Sequence, residues 1–166
     1  MYEKGEYIVH PGQGVCRVEG VSEEPNPVYR LMPVGDRHSL LISFPVASES
    51  RLRPILSRDE ALAVIDGYPS LEVDDFTDHS GMVEEQHFRH ILKEGTCGDS
   101  VRVVKTFRRR IRRAHEDGRR PSVVYERILR DAQDRSLSEL AVALGTTADD
   151  VVRLFREREG EQDAES

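Results

Sequence analysis

The 166-residue sequence contains no tryptophan, only two cysteines and no long apolar run. A membrane-spanning helix needs about 18 consecutive apolar residues, and the N-terminus lacks a basic region followed by an apolar stretch. We therefore expect neither a membrane span nor a secretion signal, and we expect a cytoplasmic location. Cys16 and Cys97 lie far apart in the sequence, and we expect two reduced thiols rather than a disulfide.

Motifs that carry catalysis are also missing: the sequence has no Gly-x-Ser-x-Gly elbow, no glycine-rich phosphate loop before a helix and no Cys-x-x-Cys pair. Glu84, His87 and His90 are spaced like a carboxylate–histidine metal pair, but a di-iron site needs a second such pair. We interpret these three as solvated helix positions. The sequence therefore predicts a protein that is not an enzyme, with no catalytic residue, metal, cofactor or small-molecule substrate.

Charge is divided unevenly along the chain, whose net charge is −7. Residues 57–100 carry three Lys or Arg against eleven Asp or Glu, whereas residues 101–135 carry twelve against five. A basic block therefore lies inside an acidic protein. Such asymmetry indicates a localised contact with a polyanion.

Residues 1–56 predict an all-β domain. Turn-forming residues separate five short segments rich in β-formers, which are Glu6–His10, Gly14–Val21, Val28–Val34, Leu40–Phe44 and Arg51–Ile55. Five strands at this spacing predict a small half-open barrel of the Tudor or SH3-like size class. The strand edges of such a barrel can pair with a strand of another protein.

Residues 57–158 predict a compact all-α domain, so the fold class is α+β. Capping boxes and helical periodicity predict helices over 57–67, 83–93, 99–115, 122–134, 137–144 and 149–157. The helix from Asp99 is expected to be the longest, and Val83 is expected to face the core. Residues 70–82 predict an extended acidic tether, and residues 159–166 predict a frayed polar tail.

The basic block has two possible interpretations. Four of its side chains share a face of the predicted helix 99–115 at positions i, i+3, i+7 and i+10, and these are Arg102, Lys105, Arg109 and Arg112. Arg108, Arg110 and Arg113 widen this face. Either the face contacts a nucleic-acid backbone, without sequence specificity and with strong salt dependence, or it is solvated or paired with the acidic helix at 83–94.

Residues 137–152 have the pattern of a helix-turn-helix, with a glycine turn at Gly145. However, the second predicted helix begins with Asp149 and Asp150, whose carboxylates would repel DNA. The pattern therefore favours a helical hairpin that packs within the domain.

The N-terminal run from Gly5 to Val15, with its Tyr7-Ile8-Val9-His10-Pro11 core, is similar to the opening of CarD/CdnL-type transcription regulators. It is also similar to the polymerase-binding module of the transcription-repair coupling factor. Further similar segments extend the resemblance over roughly residues 1–145, and these are Leu40–Val46, Arg53–Ser57, Val103–Phe107 and Glu139–Gly145.

The resemblance implies that the first domain binds the β subunit of bacterial RNA polymerase through an exposed strand edge. The helical domain would lie against promoter DNA and stabilise the open complex. The positions assigned to polymerase contact are Val9, His10, Arg30, Leu41, Ile42, Ser43 and Phe44. Family members often carry an arginine where this chain has Ser43.

The same resemblance implies a DNA contact by the helical domain. Family members use a tryptophan wedge at a position near Glu84, and this chain has none. Phe76 is the nearest aromatic residue upstream and is the candidate wedge. The candidate DNA contacts are Phe76, Arg89, Arg102, Lys105, Arg109, Arg112, Arg113 and Arg127.

We therefore expect a CarD-like, non-enzymatic transcription regulator of the bacterial cytoplasm, which binds the polymerase β subunit and modulates open-complex stability. One alternative is a protein-interaction module that binds polymerase or another partner without contacting DNA. A second is a free-standing helix-turn-helix regulator that uses residues 137–157.

Overall fold

The chain forms two compact units, Met1–Ser57 and Arg58–Ser166. The computed structural model describes residues 1–23, 25–35 and 40–165, with side chains up to Gly160. The first unit is built around an antiparallel sheet and the second from helices, so the predicted α+β class is confirmed. The predicted turns at 23–27 and 34–37 lie partly outside the described residues.

The sheet contains five strands in the described part of the chain: β1 (Tyr7–His10), β2 (Gly14–Ser22), β3 (Val28–Pro33), β4 (Ile42–Pro45) and β5 (Arg53–Pro54). Their order is β4-β3-β2-β1-β5, and the two end strands do not close a barrel. All five predicted strands are present, with ends within two residues of the predicted ones. The predicted turn at 46–50 is part of a 3-10 helix, Val46–Arg51.

The turn between β1 and β2 and the alternation of apolar residues explain this sheet. Gly14 has φ +76°, a conformation that favours glycine, and it pairs with His10 across the turn. Alternate side chains then point to one face. They form a core that includes Ile8, Val18 and Tyr29, all at most 1% exposed.

The helical unit contains five α-helices among its described residues: α1 (Arg58–Gly67), α2 (Gly81–Glu94), α3 (Cys97–Glu116), α4 (Val123–Leu144) and α5 (Ala148–Glu165). A 3-10 turn, Tyr68–Ser70, follows α1. The main apolar cluster comes from α2, α3 and α4 and consists of Phe88, Leu92, Val103, Phe107, Ile128 and Ala132. Within the described ranges, no helix is long and apolar enough to cross a membrane.

Two predicted helices, 122–134 and 137–144, are a single helix, α4. The run from Ser136 to Glu139 has the sequence pattern of a capping box, which predicts a helix start there, and this prediction is wrong. Ser136 lies inside α4, and its side chain donates back to the carbonyl of Ala132 at 2.7 Å. Burial decides between the two structures, because Ser136 and Glu139 are 3% and 2% exposed. At 22 residues, α4 is also longer than the 20-residue α3.

Three further details differ from the prediction. Thr96 is the N-cap of α3, and Asp99 completes its capping box from the third helical position. Val83 is 41% exposed rather than packed in the core. Residues 159–165 are helical, since α5 extends to Glu165, whereas the sequence predicts a frayed tail.

The irregular segment 71–80 lies against the helices rather than hanging free. The Asp74 N–H donates to the Thr106 hydroxyl of α3 at 2.9 Å, and Arg110 of α3 donates to the Phe76 carbonyl at 2.6 Å. The predicted irregular backbone is therefore confirmed, but its interpretation as a tether is wrong.

Candidate functional site

One end of the sheet presents an edge strand with outward-facing backbone groups. β4 pairs with β3 in the register Arg30↔Ser43, and it stands last in the strand order. The Val46 N–H donates to the Pro27 carbonyl at 3.0 Å. Because ladder bonds alternate along an antiparallel strand, the N–H and C=O groups of Ser43 point away from β3. In the described part of the chain, no other strand pairs with that side of β4.

Exposed apolar side chains lie next to this edge. Leu40 and Leu41, which lead into β4, are 73% and 53% exposed. Ser43 is also exposed, whereas Phe44 is buried and Ile42 packs against the core of the sheet. The predicted set Leu41–Phe44 therefore divides into residues that reach solvent and residues that hold the strand in place.

Arg30 lies on the exposed face beside this edge. It is directly opposite Ser43, and its guanidinium extends over Gly20, where a Cβ would lie 2.8 Å from the Arg30 Nη2. The absence of a side chain at Gly20 thus leaves room for the guanidinium. The guanidinium is therefore held over β2, on the side of β3 that faces away from β4.

His10 and Val9 of β1 have mainly structural contacts. The His10 ring packs edge-on against Phe44 with centroids 5.3 Å apart, which shows that the open sheet curls enough to bring β1 towards β4. Its Nδ1 accepts hydrogen bonds from the N–H groups of Gly12 and Gln13 at 3.0 and 3.1 Å. Val9 is half-buried and paired with Val15 and Arg53.

In the helical unit, one face of α3 presents cations to solvent. Four arginines at positions i, i+7, i+10 and i+11 are exposed and make no ion pair with any described residue, and these are Arg102, Arg109, Arg112 and Arg113. Arg127 of α4 is likewise exposed and unpaired within the described structure. These five predicted residues form the exposed arginine set.

The three other cations of α3 are used inside the unit. Lys105 donates to the carbonyls of Tyr68, Pro69 and Leu71 at 2.7–3.0 Å. Burial lowers the pKa of Lys105, repulsion from Arg109 lowers it further by a smaller amount, and the negative charge of Glu159 partly opposes this shift. Arg108 donates to the Tyr68 hydroxyl at 3.0 Å. The structure thus places some members of the basic block in internal contacts and leaves others exposed to solvent.

Arg110 pairs with the acidic helix at 83–94, as one interpretation of the sequence expects, and it belongs to a buried polar cluster. Its Nη1 donates to Glu84 Oε1 at 3.0 Å, and the Tyr125 hydroxyl donates to the same oxygen at 3.0 Å. The guanidinium lies 5.1–5.7 Å from the ring centroids of Phe88, Phe107 and Tyr125. Glu84 is 8% exposed, so its interpretation as a solvated position is wrong.

Besides Lys105, two further predicted DNA contacts lie in internal interactions. The Phe76 ring stacks on His87 at a centroid distance of 3.9 Å and packs against the helical core. Arg89 forms ion pairs with Asp131 at 2.9 Å and with Glu85 at 3.5 Å. Insertion of Phe76 into DNA would first break its stack, and Arg89 would have to leave two carboxylates.

Asp74 links the 71–80 segment to α2. Its carboxylate accepts from the Phe76 N–H at 2.9 Å and pairs with His87 Nε2 at 3.1 Å. Burial acts to raise the pKa of Asp74, but these hydrogen bonds and the nearby charges of His87 and Arg110 hold it below its ordinary value. The segment is therefore fixed by charge as well as by packing.

In the described ranges, the cysteines and histidines do not form a metal-binding cluster. No group of three or more His, Cys, Asp or Glu residues there could hold a metal ion. Both cysteines are buried and neither forms a disulfide with a described residue, and burial raises the pKa of the Cys16 thiol to about 12. Such a thiol stays protonated at neutral pH and is a weak nucleophile.

The open sheet with its accessible edge can be compared with known families. A family model described as the CarD-like/TRCF RID domain matches residues 2–56. The N-terminal unit is a CarD-like domain. Domains of this family are protein-interaction domains that bind RNA polymerase, so this chain carries a polymerase-interaction domain. No curated protein matches the chain.

The CarD-like domain contains contact candidates that the sequence did not single out. Leu40 is the most exposed large apolar side chain beside β4, and Val34, at the end of β3, is 39% exposed. The apolar run Leu40–Ile42 could have indicated that one of its members faces solvent, because a strand alternates. The Glu84–Arg110 contact had no comparable local signal, since its residues come from different helices.

Proposed function

We propose that this chain is an accessory transcription regulator whose CarD-like domain binds the β subunit of bacterial RNA polymerase by strand addition at β4. The observation that carries this proposal is the outward-facing backbone of Ser43 beside the exposed Leu40 and Leu41. The residues proposed to take part in polymerase binding, directly or by supporting β4, are Val9, His10, Arg30, Leu41, Ile42, Ser43 and Phe44. No chemical step is required of the protein.

Strand addition assigns different tasks to these residues. The Ser43 N–H and C=O groups would pair with the partner strand, and Leu41 with Leu40 would supply apolar contact. Arg30 would meet an acidic side chain at the rim. Ile42, Phe44 and His10 would act indirectly by keeping β4 and the adjacent turn in shape.

We propose further that the helical unit contacts the promoter DNA backbone and modulates the stability of the open complex. The exposed arginine set supports this proposal, because its five guanidinium groups are available for phosphate oxygens. Lys105, Arg89 and Phe76 contribute to it only by holding the unit together. A contact that favours the open complex over the closed one by about 1.4 kcal/mol would shift their ratio about tenfold.

Binding of β-subunit fragments to the full chain tests the polymerase contact. We expect Leu41→Asp to weaken binding at least about tenfold, since a charge would enter an apolar contact. Ser43→Pro removes an outward N–H without removing a β3 ladder bond and should weaken binding as well. Val123→Asp is the matched control, because Val123 is 64% exposed in the other unit. Equal binding by all three folded variants would contradict the proposal.

A second candidate function is supported by the internal cations. Lys105, Arg108, Arg110 and Arg89 are engaged within the unit. In this second function, the helical unit binds a protein partner and makes no contact with DNA. A forked promoter fragment with polymerase separates the candidates. If the unit contacts DNA, the double variant Arg109→Ala/Arg113→Ala should bind this fragment with a smaller dependence of affinity on salt concentration. The slope should fall by the amount expected for about two phosphate contacts. An unchanged salt slope would favour the protein-only function.

A further inference from the structure

The helical unit contains a cavity of about 180 Å³ among α3, α4, α5 and the Tyr68–Ser70 turn. The apolar part of its wall is formed by Val101, Val104, Leu137, Val152 and Phe155, and Gln133 and Ser136 also line it. An apolar cavity of about 150 Å³ in another protein admits benzene. The space is therefore large enough for a single ring or a short branched chain.

The rim of this cavity favours an anion. Arg108, Arg156 and Glu159 border it, which gives one net positive charge. Arg108 is already engaged by the Tyr68 hydroxyl at 3.0 Å and by Glu159 at 3.4 Å. Arg156 is exposed and forms no ion pair with any described residue. One guanidinium thus remains available beside an apolar space.

The surroundings add to this positive potential. A second cleft shares Tyr68, Arg108 and Glu159 with the cavity and is also lined by Lys105, Arg109 and Arg112. Because the two spaces share lining residues, the cations that line both of them act together on an ion that enters either one. A carboxylate is therefore preferred at the rim, and an ammonium group is disfavoured.

We propose that this cavity binds a small hydrophobic monocarboxylic acid of about the size of benzoate. Its ring would lie between Val104, Leu137 and Phe155, and its carboxylate would pair with Arg156. The ligand would then join α3, α4 and α5 and stabilise the helical unit by mass action. This inference does not depend on the proposed role in transcription.

Titration of the full chain with three probes tests the chemistry of the ligand. Benzoate should shift the amide resonances of cavity residues saturably in ¹H–¹⁵N spectra. Benzylamine has the same ring with the opposite charge, and acetate has the charge without a ring, so neither should saturate over the same concentrations. The absence of saturable shifts with benzoate, or equal shifts with all three probes, would overturn the proposal.

Variants test the location. Val104→Phe and the milder Val152→Leu fill the cavity, and a folded form of either should lose or weaken benzoate binding. Arg156→Gln should weaken it about fivefold, the upper range for one exposed charge pair. Arg153→Gln is the control, because Arg153 is exposed on the same helix and does not line the cavity. Unchanged affinity in the folded filling variants would refute the site.

Discussion

Replacement of Arg110 by alanine should destabilise the helical unit by about 3 kcal/mol. Arg110 and Glu84 keep only 17% and 11% of their side-chain exposure. Removal of one partner from a buried ion pair costs about 3–5 kcal/mol, because the other charge is left without compensation. We take the lower end because both groups retain some solvent contact. The bond from Arg110 to the Phe76 carbonyl, 2.6 Å long, is lost in the same variant.

Urea unfolding of the full chain, followed by the helical circular dichroism signal, measures this effect. The neighbouring Arg109 offers a matched control: it is exposed on the same helix, and Arg109→Ala should change the free energy of unfolding by no more than about 0.5 kcal/mol. A double-mutant cycle with Glu84→Ala should give a coupling of about 1 kcal/mol or more. Equal effects of Arg110→Ala and Arg109→Ala would refute the reasoning.

Three further predictions concern single groups. Since hydrogen bonds and His87 hold the pKa of Asp74 below its ordinary 3.8, Asp74→Asn should be less stable than the parent at pH 7, and urea titrations should show this difference disappearing as the pH falls through the lowered pKa. Gly145 ends α4 with φ +66°, so Gly145→Ala should cost about 1 kcal/mol in the same assay, whereas Gly67→Ala, at a position with φ −80°, should not. Cys16 should react with a thiol reagent at pH 8 only after unfolding, and modification of the native protein at the unfolded rate would contradict its burial.

The strands were predictable because their signals are local. Turn residues such as Gly14 require a particular backbone conformation, and the alternation of Tyr7 to His10 and of Val15 to Val18 follows the period of a strand. In contrast, the sequence alone could not show that the backbone N–H and C=O groups of Ser43 point away from β3. It depends on which residues of β4 bond to β3, and a shift of one residue would reverse it.

The helical half shows why local signals can mislead. A serine can cap a helix, or it can donate back to a carbonyl four residues earlier, and Ser136 does the latter because tertiary packing buries it. The basic block has the same ambiguity. Arg109 and Arg110 are adjacent in sequence, yet one faces solvent and the other a carboxylate on α2. Only the placement of α2 and the 71–80 segment distinguishes them.

The continuity of α4 has a consequence for how the helical unit melts. Its 22 residues span about 33 Å at 1.5 Å per residue. Tyr125 and Asp131 in its first half bond to α2, while the Leu144 carbonyl at its far end accepts from Arg58 of α1. The two ends of the bundle therefore pack on the same helix. If α4 unfolds, both ends lose their contacts with it and become exposed to solvent. Amide protons throughout the bundle core should accordingly exchange through one common opening event.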